Sequence, residues 1–310
     1  MSIVTVTVPA TTANLGPGFD CIGAALTLYN RFQFTPLAAG SNPAFQITVR
    51  GLDAERVNTD ESNLAYQAFL RLYQHIGQAP PPVQIDIELE VPLARGLGSS
   101  ATAIVGGLVG ANQLAGLPLK STEVMQIAIA IEGHPDNVVP ALLGGCRLAA
   151  TREDGSWEVC EIPWHRGIVP IVAIPNFELS TAAARRVLPP SYSRADAIFN
   201  IAHLGLLLRG LETGAASWLQ AALQDKIHQP YREPLIPGYT AVRAAALAAG
   251  AYGLVISGAG PTLLALAPIQ QAAAVAAAMA VPWEEQAINA QVQVLNLATQ
   301  GAIAAYNKPI

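Results

Sequence analysis

Residues 92–103 read Pro-Leu-Ala-Arg-Gly-Leu-Gly-Ser-Ser-Ala-Thr-Ala. Before them, residues 83–90 alternate between apolar and polar side chains, which is typical of a strand with one buried face. After them, Ala101, Ile104 and Leu108 recur at the spacing of one helix face. The sequence therefore predicts a strand, a glycine-rich turn and a helix, in that order.

The turn between this strand and this helix suits a bound phosphate. The first amides of a helix have no partner within the helix and carry the positive end of its dipole. Gly96 and Gly98 let the backbone approach an anion closely, and Ser99 and Ser100 can cap the helix or offer hydroxyl groups to phosphate or metal. The same residues also fit a plain glycine-rich turn with a serine cap, so local chemistry leaves both interpretations open.

Two common phosphate-binding motifs can be compared with this turn. A Walker A loop carries a lysine, and no lysine of the chain lies in residues 92–103, so that class is excluded. Residues 96–101 do fit the G-x-G-x-x-G/A fingerprint of dinucleotide binding, with Glu123 about twenty residues further on. However, residues 121–123 are typical of a helix start rather than of the end of a second strand. A dinucleotide-dependent oxidoreductase stays an alternative, which predicts stabilisation by NAD and none by ATP.

The run over residues 92–102 resembles the ATP-binding loop of the galactokinase, homoserine kinase, mevalonate kinase and phosphomevalonate kinase (GHMP kinase) superfamily. In its full length it is most similar to the bacterial branch that phosphorylates homoserine. Further motifs of that branch are matched by residues 9–20 (PATTANLGPGFD), 132–138 (EGHPDNV), 180–189 (STAAARRVLP), 225–232 (DKIHQPYR) and 253–262 (GLVISGAGPT). The resemblance implies that ATP donates the phosphoryl group and that Mg²⁺ is the cofactor.

One set of residues would contact the nucleotide, by this resemblance. The set consists of Asn63, Pro92, Leu93, Ala94, Arg95, Gly96, Leu97, Gly98, Ser99, Ser100, Ala101 and Thr102. From its local pattern, Asn63 is better explained as the N-cap of the amphipathic helix that follows it. The last motif of the superfamily, within residues 253–262, would pack beside the phosphate loop as a connection between two apolar strands.

A second set would surround the metal and the reacting hydroxyl group. Mg²⁺ prefers carboxylate and hydroxyl oxygens and keeps several waters. The resemblance assigns Ser100 and Glu132 to Mg²⁺, His134 to the substrate, and Asp136 and Asn137 to catalysis near the hydroxyl group. Because no lysine lies near the motifs of the first half, we expect positioning to contribute more than proton abstraction.

A third set would recognise an amino-acid substrate. A zwitterion needs cations for its carboxylate, and two converging guanidinium groups recognise a carboxylate strongly. The resemblance assigns Arg185 and Arg232 to that carboxylate, and Asn14 and Asp20 to the ammonium side. It thereby implies ATP-dependent phosphorylation of the side-chain hydroxyl of L-homoserine, a step of threonine biosynthesis. A kinase for another small alcohol and a non-catalytic nucleotide-binding regulator stay open as alternatives.

Composition limits the class of protein. The chain has 310 residues, of which 52% are hydrophobic and 13% charged, so a large alanine-rich core is expected. A formal charge of −5 argues against a nucleic-acid partner. Three cysteines without metal-like spacing and a first cation only at Arg31 indicate a cytoplasmic protein without a signal peptide. The uncharged residues 244–283 are interrupted by glycines and prolines, so they predict buried soluble structure and no membrane span.

The resemblance implies an α+β fold with two domains. These are an N-terminal GHMP kinase ATP-binding domain over residues 1–150, with a left-handed β-α-β unit, and a ferredoxin-like C-terminal domain over residues 151–310. It also implies a homodimer. Residue patterns alone show only mixed α and β structure, including a hairpin from residues 32–37 and 45–50. They also predict a helix over residues 197–211 whose core side carries Ile198, Ile201, Ala202, Leu204 and Leu208.

Overall fold

The structure, a computed structural model, describes residues 3–307. The strands are β1 (Ile3–Ala13), β2 (Ile22–Pro36), β3 (Phe45–Gly51), β4 (Val83–Leu89), β5 (Cys146–Thr151), β6 (Trp157–Ile162), β7 (Ile168–Pro175), β8 (Gly253–Ile256), β9 (Leu263–Pro268), β10 (Ala290–Val294) and β11 (Ile303–Asn307). The helices are α1 (Leu64–His75), α2 (Ser99–Leu114), α3 (Ser121–Glu132), α4 (Pro135–Leu143), α5 (Thr181–Arg186), α6 (Arg194–Thr213), α7 (Ala216–Ala222), α8 (Gln229–Arg232), α9 (Tyr239–Ala248) and α10 (Ala272–Glu285).

The first sheet has the strand order β11-β1-β2-β4-β3, with β5 paired to β2 and β6 paired to β5. Strands β3 and β4 run parallel and α1 joins them, which forms the expected β-α-β unit. Helix α2 lies very close to the sheet. A Cβ atom on Gly106 would come within 2.5 Å of the Phe32 ring, and one on Gly110 within 2.2 Å of the Phe34 ring. These two glycines therefore let α2 pack directly against β2, which carries both rings.

The second sheet has the strand order β10-β7-β9-β8 and is antiparallel throughout. Along the chain its elements follow as β7, helices, β8, β9, α10 and β10, which is the β-α-β-β-α-β order of a ferredoxin-like domain. Helices α9 and α10 pack together, and Trp283 of α10 is fully buried and donates Nε1–H to the Pro237 carbonyl, 2.7 Å away. The two-domain α+β fold expected from the sequence is confirmed.

The strand, turn and helix predicted around residues 92–103 are present in this order, since β4 ends at Leu89 and α2 begins at Ser99. The division into residues 1–150 and 151–310 stays a prediction. Strand β6 still belongs to the first sheet, and β11 returns to it from the end of the chain.

The hairpin predicted from residues 32–37 and 45–50 is wrong. Both segments are strands, but β4 lies between β2 and β3 and pairs with each of them. Alternation of side chains identifies a strand and one buried face, and it carries no information on which strand is the neighbour.

The core side predicted for the helix over residues 197–211 is also wrong in part. Ile198 and Ile201 of α6 are 60% and 72% exposed and Ala202 is exposed as well, whereas Asn200, Leu207 and Leu211 are buried. Apolar residues occupy most of the circumference of α6, so spacing alone could not identify the buried face. Among residues 3–307, no helix combines the length and apolar character that a membrane crossing requires.

Candidate active site

A cavity of about 430 Å³ lies between the start of α2 and the loop that joins β8 to β9. It brings together most of the side chains singled out from the sequence. The predicted residues that line it are Asn14, Asp20, Asn63, Leu93, Ala94, Arg95, Gly96, Gly98, Ser99, Ser100, Thr102, Glu132, His134, Asp136, Asn137, Arg185 and Arg232. Pro92, Leu97 and Ala101 do not line it, and the last two are fully buried in the hydrophobic core.

The glycine-rich turn has a backbone that only glycine adopts easily. Gly96 and Gly98 have φ values of 77° and 68°, and Gly98 is the N-cap of α2. A Cβ atom on Gly98 would lie 2.0 Å from Thr11 Oγ1, and one on Gly96 would lie 2.3 Å from the Ser257 carbonyl oxygen. The turn is therefore fitted between β1 and the β8–β9 loop, and the first residues of α2 line the cavity.

Neighbouring polar groups hold this turn in place. Asn30 donates Nδ2–H to Thr102 Oγ1 (2.8 Å), and its Oδ1 accepts from the amides that follow β4. Arg95 is almost fully buried, and its guanidinium group donates to three backbone carbonyls and pairs with Glu178 at 3.1 Å. Ser257 Oγ lies 2.7 Å from the Gly96 carbonyl oxygen. The β8–β9 loop therefore packs beside the turn, as the sequence motif predicted.

Ser100 and Glu132 meet at the edge of the cavity. Ser100 Oγ donates to Glu132 Oε1 at 2.8 Å, and Glu132 is the last residue of α3. Burial raises the pKa of Glu132, although the hydrogen bond from Ser100 opposes that rise. In the described part of the chain there is no group of three or more His, Cys, Asp or Glu side chains arranged for a metal. A hydroxyl and a single carboxylate fit Mg²⁺, which takes its other ligands from water and substrate phosphates.

A chain of hydrogen bonds begins at His134, two residues past the end of α3. His134 Nδ1 lies 2.7 Å from Asp136 Oδ1, Asn137 donates Nδ2–H to the same oxygen (3.2 Å), and Thr11 donates to Asn137 Oδ1 (2.8 Å). Burial alone would lower the pKa of His134, but the hydrogen bond and charge of Asp136, with Glu132 nearby, outweigh it and raise that pKa. Asp136 and Asn137 lie in the first turn of α4, where the helix dipole favours a carboxylate.

The other end of the cavity carries opposite charges. Arg185 of α5 forms two hydrogen bonds with Asp20, at 2.9 and 2.8 Å. Arg232 is buried and donates to the carbonyls of Ala184 (3.1 Å) and Gly258 (2.9 Å). The ring of Phe19 lies against both guanidinium groups, with centroid distances of 5.6 Å to Arg185 and 5.2 Å to Arg232.

Asn14 shapes the same end of the cavity. It donates Nδ2–H to the Gly258 carbonyl (3.0 Å), and its Oδ1 accepts from the Asp20 amide (3.0 Å). Asn14 and Asp20 have φ values of 72° and 57°, a left-handed backbone that Asn and Asp tolerate better than most residues. The loop between β1 and β2 therefore presents both side chains to the cavity.

Asn63 has a confirmed structural role. Its Oδ1 accepts from the amides of Ala65 (3.1 Å) and Tyr66 (3.2 Å), so it is the N-cap of α1. It also lines the cavity, and its contact with the nucleotide stays a prediction.

Sequence reasoning missed three side chains that support the site. Thr11 orients Asn137, Asn30 holds Thr102, and His228 lies behind Arg232. Thr11 and His228 stand inside motifs that were recognised, so their positions were available as a signal. Asn30 lies within β2, and only the folded structure shows its role.

Comparisons with known proteins agree with this fold. Family models described as the GHMP kinases N terminal domain and the GHMP kinases C terminal match residues 63–145 and 207–284. Homoserine kinase of Trichormus variabilis is 70% identical over 302 residues, which cover 97% of this chain and 99% of that protein. Homoserine kinase of Thermosynechococcus vestitus is 60% identical over 96% of this chain and 98% of its own length.

Solved structures show the same arrangement of elements. The crystal structure of homoserine kinase from Cytophaga hutchinsonii superposes with a TM-score of 0.89 at 30% identity, covering 98% of this chain and 97% of that one. A mevalonate kinase from L. major shares the fold with a TM-score of 0.70 at 16% identity, over 95% of this chain and 96% of that one. The chain belongs to the GHMP kinase family. Within that family, the relatives just described that share 30% or more of its residues over nearly its whole length are homoserine kinases.

Proposed function

We propose that the protein is a homoserine kinase, which transfers the γ-phosphoryl group of ATP to the side-chain hydroxyl of L-homoserine. The observation that carries the proposal is the polarity of one cavity. One end offers the first amides of α2, and the other offers Arg185 and Arg232 beside Asp20 and Asn14. Such a set suits a zwitterion, whereas mevalonate has no ammonium group and a sugar has neither charge.

Each group of cavity residues would have its own role in phosphoryl transfer. The amides of the glycine-rich turn would hold the phosphates of ATP, because they lie at the positive end of the α2 dipole. Ser100 and Glu132 would hold Mg²⁺, which supplies charge neutralisation for the phosphates when it is bound. Asn137, oriented by Thr11, and Asp136 would contact the reacting hydroxyl group.

Alignment contributes more than a strong base in this proposal. Among residues 3–307 no lysine lines the cavity. No lysine of this part of the chain could therefore assist a carboxylate in abstracting a proton there. Asp136 accepts hydrogen bonds from His134 and Asn137, which fixes its orientation at the start of α4.

We extend the proposal to a cytoplasmic homodimer, which is supported by analogy with the family.

A coupled ADP-release assay tests the function. Purified protein with ATP and Mg²⁺ is offered L-homoserine, mevalonate or galactose in parallel, and we expect turnover with L-homoserine only. Faster turnover with another alcohol would make the protein a different small-molecule kinase. Binding of ATP without any Mg²⁺-dependent turnover would indicate a non-catalytic regulator, and stabilisation by NAD but not ATP would overturn the kinase assignment.

A further inference from the structure

His228 is a fully buried imidazole behind the substrate end of the cavity. Its side chain has 0% exposure, it does not line the cavity, and the proposed transfer gives it no task. It immediately precedes α8, which carries Arg232. A buried titratable group in this position needs a physical reason, because burial without partners costs free energy.

The two ring nitrogens of His228 have different partners. Nε2 lies 2.9 Å from the Gly16 carbonyl oxygen, which can only accept, so Nε2 carries the proton. Nδ1 is then an acceptor, and Arg232 Nη1 lies 3.4 Å from it as the donor. Burial lowers the pKa of His228 and the Arg232 charge adds to this, while Asp225 opposes it, so the imidazole stays neutral.

The face of the imidazole also has a partner. The ring of Phe19 stacks on it with centroids 5.2 Å apart and an angle of 25° between the planes. The same Phe19 ring lies against the guanidinium groups of Arg185 and Arg232. His228 therefore contacts the β1–β2 loop, one arginine, and the ring that lies beside both arginines.

We propose that His228 is a positioning residue for recognition of the substrate carboxylate. Through Nε2–H it holds the loop from Gly16 to Asp20, and through Nδ1 it orients Arg232 so that both guanidinium groups face one carboxylate. This inference rests on the proposed function. It assigns a role in substrate affinity to a side chain that cannot touch the substrate.

The backbone at His228 is held by the Asp225 carboxylate, which also lies 3.7 Å from His228 Nε2. The Asp225 carboxylate accepts from the amides of Ile227 (3.0 Å), His228 (2.8 Å) and Gln229 (2.6 Å). Asn200 donates Nδ2–H to the same carboxylate at 2.7 Å. Substitution of the His228 side chain should therefore leave the start of α8 in place.

Three variants separate the contacts of the imidazole. His228→Gln keeps an N–H for the Gly16 carbonyl, His228→Asn keeps an acceptor for Arg232, and His228→Ala removes both. We expect His228→Ala to raise the KM for L-homoserine about tenfold or more, which corresponds to about 1.4 kcal/mol. The KM for ATP should not change and kcat should stay within about threefold, since the proposed role is in binding. His228→Asn should recover more of the affinity than His228→Gln.

Two controls distinguish positioning from general damage. Leu211→Ala removes a fully buried side chain elsewhere, and we expect it to lower stability without raising the KM for L-homoserine. 3-Aminopropan-1-ol, which lacks the carboxylate, serves as the second substrate. His228→Ala should leave turnover of 3-aminopropan-1-ol almost unchanged, because the carboxylate contact is the one that it weakens.

The outcomes decide between the two proposals. A wild-type protein that releases no ADP with L-homoserine overturns the proposed function and this inference with it. A wild-type protein active on L-homoserine whose His228→Ala variant keeps its KM overturns the inference alone. If His228→Ala fails to fold, Phe19→Leu tests the same arrangement, because it removes the ring that stacks on His228 and lies beside both arginines. An unchanged KM for L-homoserine in Phe19→Leu also overturns the inference.

Discussion

Arg185 and Asp20 form a two-pronged ion pair, with Nη1 2.9 Å from Oδ2 and Nη2 2.8 Å from Oδ1. The pair connects α5 to the β1–β2 loop across 165 residues of sequence. Both side chains are about one-third exposed, and exposed pairs of this kind contribute about 0–1 kcal/mol. Opening the pair therefore costs little. In the proposed function, a zwitterion would replace it by giving its carboxylate to Arg185 and its ammonium group to Asp20.

The first prediction follows from this exchange of partners. Arg185→Lys and Asp20→Asn should each raise the KM for L-homoserine, because each loses charged hydrogen bonds worth about 1.5–3 kcal/mol. Stability should change little, since both side chains are about one-third exposed and the pair contributes little. Steady-state kinetics and thermal unfolding measure the two effects. Arg186→Lys, next to Arg185 on α5 and exposed, is the matched control, and an equal rise in its KM would contradict the prediction.

A second prediction concerns the glycine-rich turn. Gly98→Ala should lose most activity with ATP, since its Cβ atom would lie 2.0 Å from Thr11 Oγ1. Gly77 provides a matched control, because its φ of 67° equals that of Gly98 within a degree while its Cβ atom would meet nothing within 4 Å. Both variants adopt a left-handed backbone that costs about 1–2 kcal/mol. Only Gly98→Ala should also weaken ATP binding, measured by titration calorimetry.

The third prediction concerns the proposed Mg²⁺ ligands. Glu132→Gln removes the carboxylate that accepts from Ser100, so the Mg²⁺ concentration for half-maximal activity should rise about tenfold or more. Glu123→Gln, at the other end of α3, makes the same chemical change away from the cavity and should leave that concentration unaltered. Mg²⁺ titrations at saturating ATP measure the difference. Identical titrations for wild type and Glu132→Gln would place the metal ligands elsewhere.

The sequence predicted those features that are local. Glycines between a strand pattern and a helix pattern predict the turn at residues 92–103. The structure has the same order of strand, turn and helix. The hairpin prediction was wrong because β2 pairs with β4, which lies about fifty residues further along the chain, and not with β3. The alternation of side chains within β3 shows which face is buried but not which strand is its neighbour. The prediction of the buried face of α6 was wrong for a related reason. Apolar residues lie on most sides of this helix, so their spacing does not identify which face is buried.

The supporting contacts of the cavity lie beyond local reasoning. The bond from His228 to Gly16 spans 212 residues, and that from Asn30 to Thr102 spans 72. Neither pair has a spacing that any periodic pattern would detect. The motifs that carry the family resemblance located the residues facing the cavity, but only the fold shows what holds them.

The last prediction concerns pH and His134. Because its pKa is raised in the folded protein, mainly by Asp136 against the effect of burial, protonated His134 stabilises the fold. That stabilisation is fully present below the unfolded pKa of about 6.5 and is lost as pH rises through the raised pKa. The free energy of unfolding of the wild type, relative to His134→Asn, should therefore fall as pH increases above about 6.5.

Urea unfolding at a series of pH values measures that difference. His75→Asn, an exposed residue of α1, controls for the loss of an imidazole as such. Asn at position 134 can still donate a hydrogen bond to Asp136 but carries no charge, so the two curves should separate at low pH and converge at high pH. A pKa that differs between the folded and unfolded states makes the free energy of unfolding depend on pH. Stability curves of the wild type and His134→Asn that stay parallel at all pH values would therefore contradict the electrostatic role assigned to the pair of His134 and Asp136.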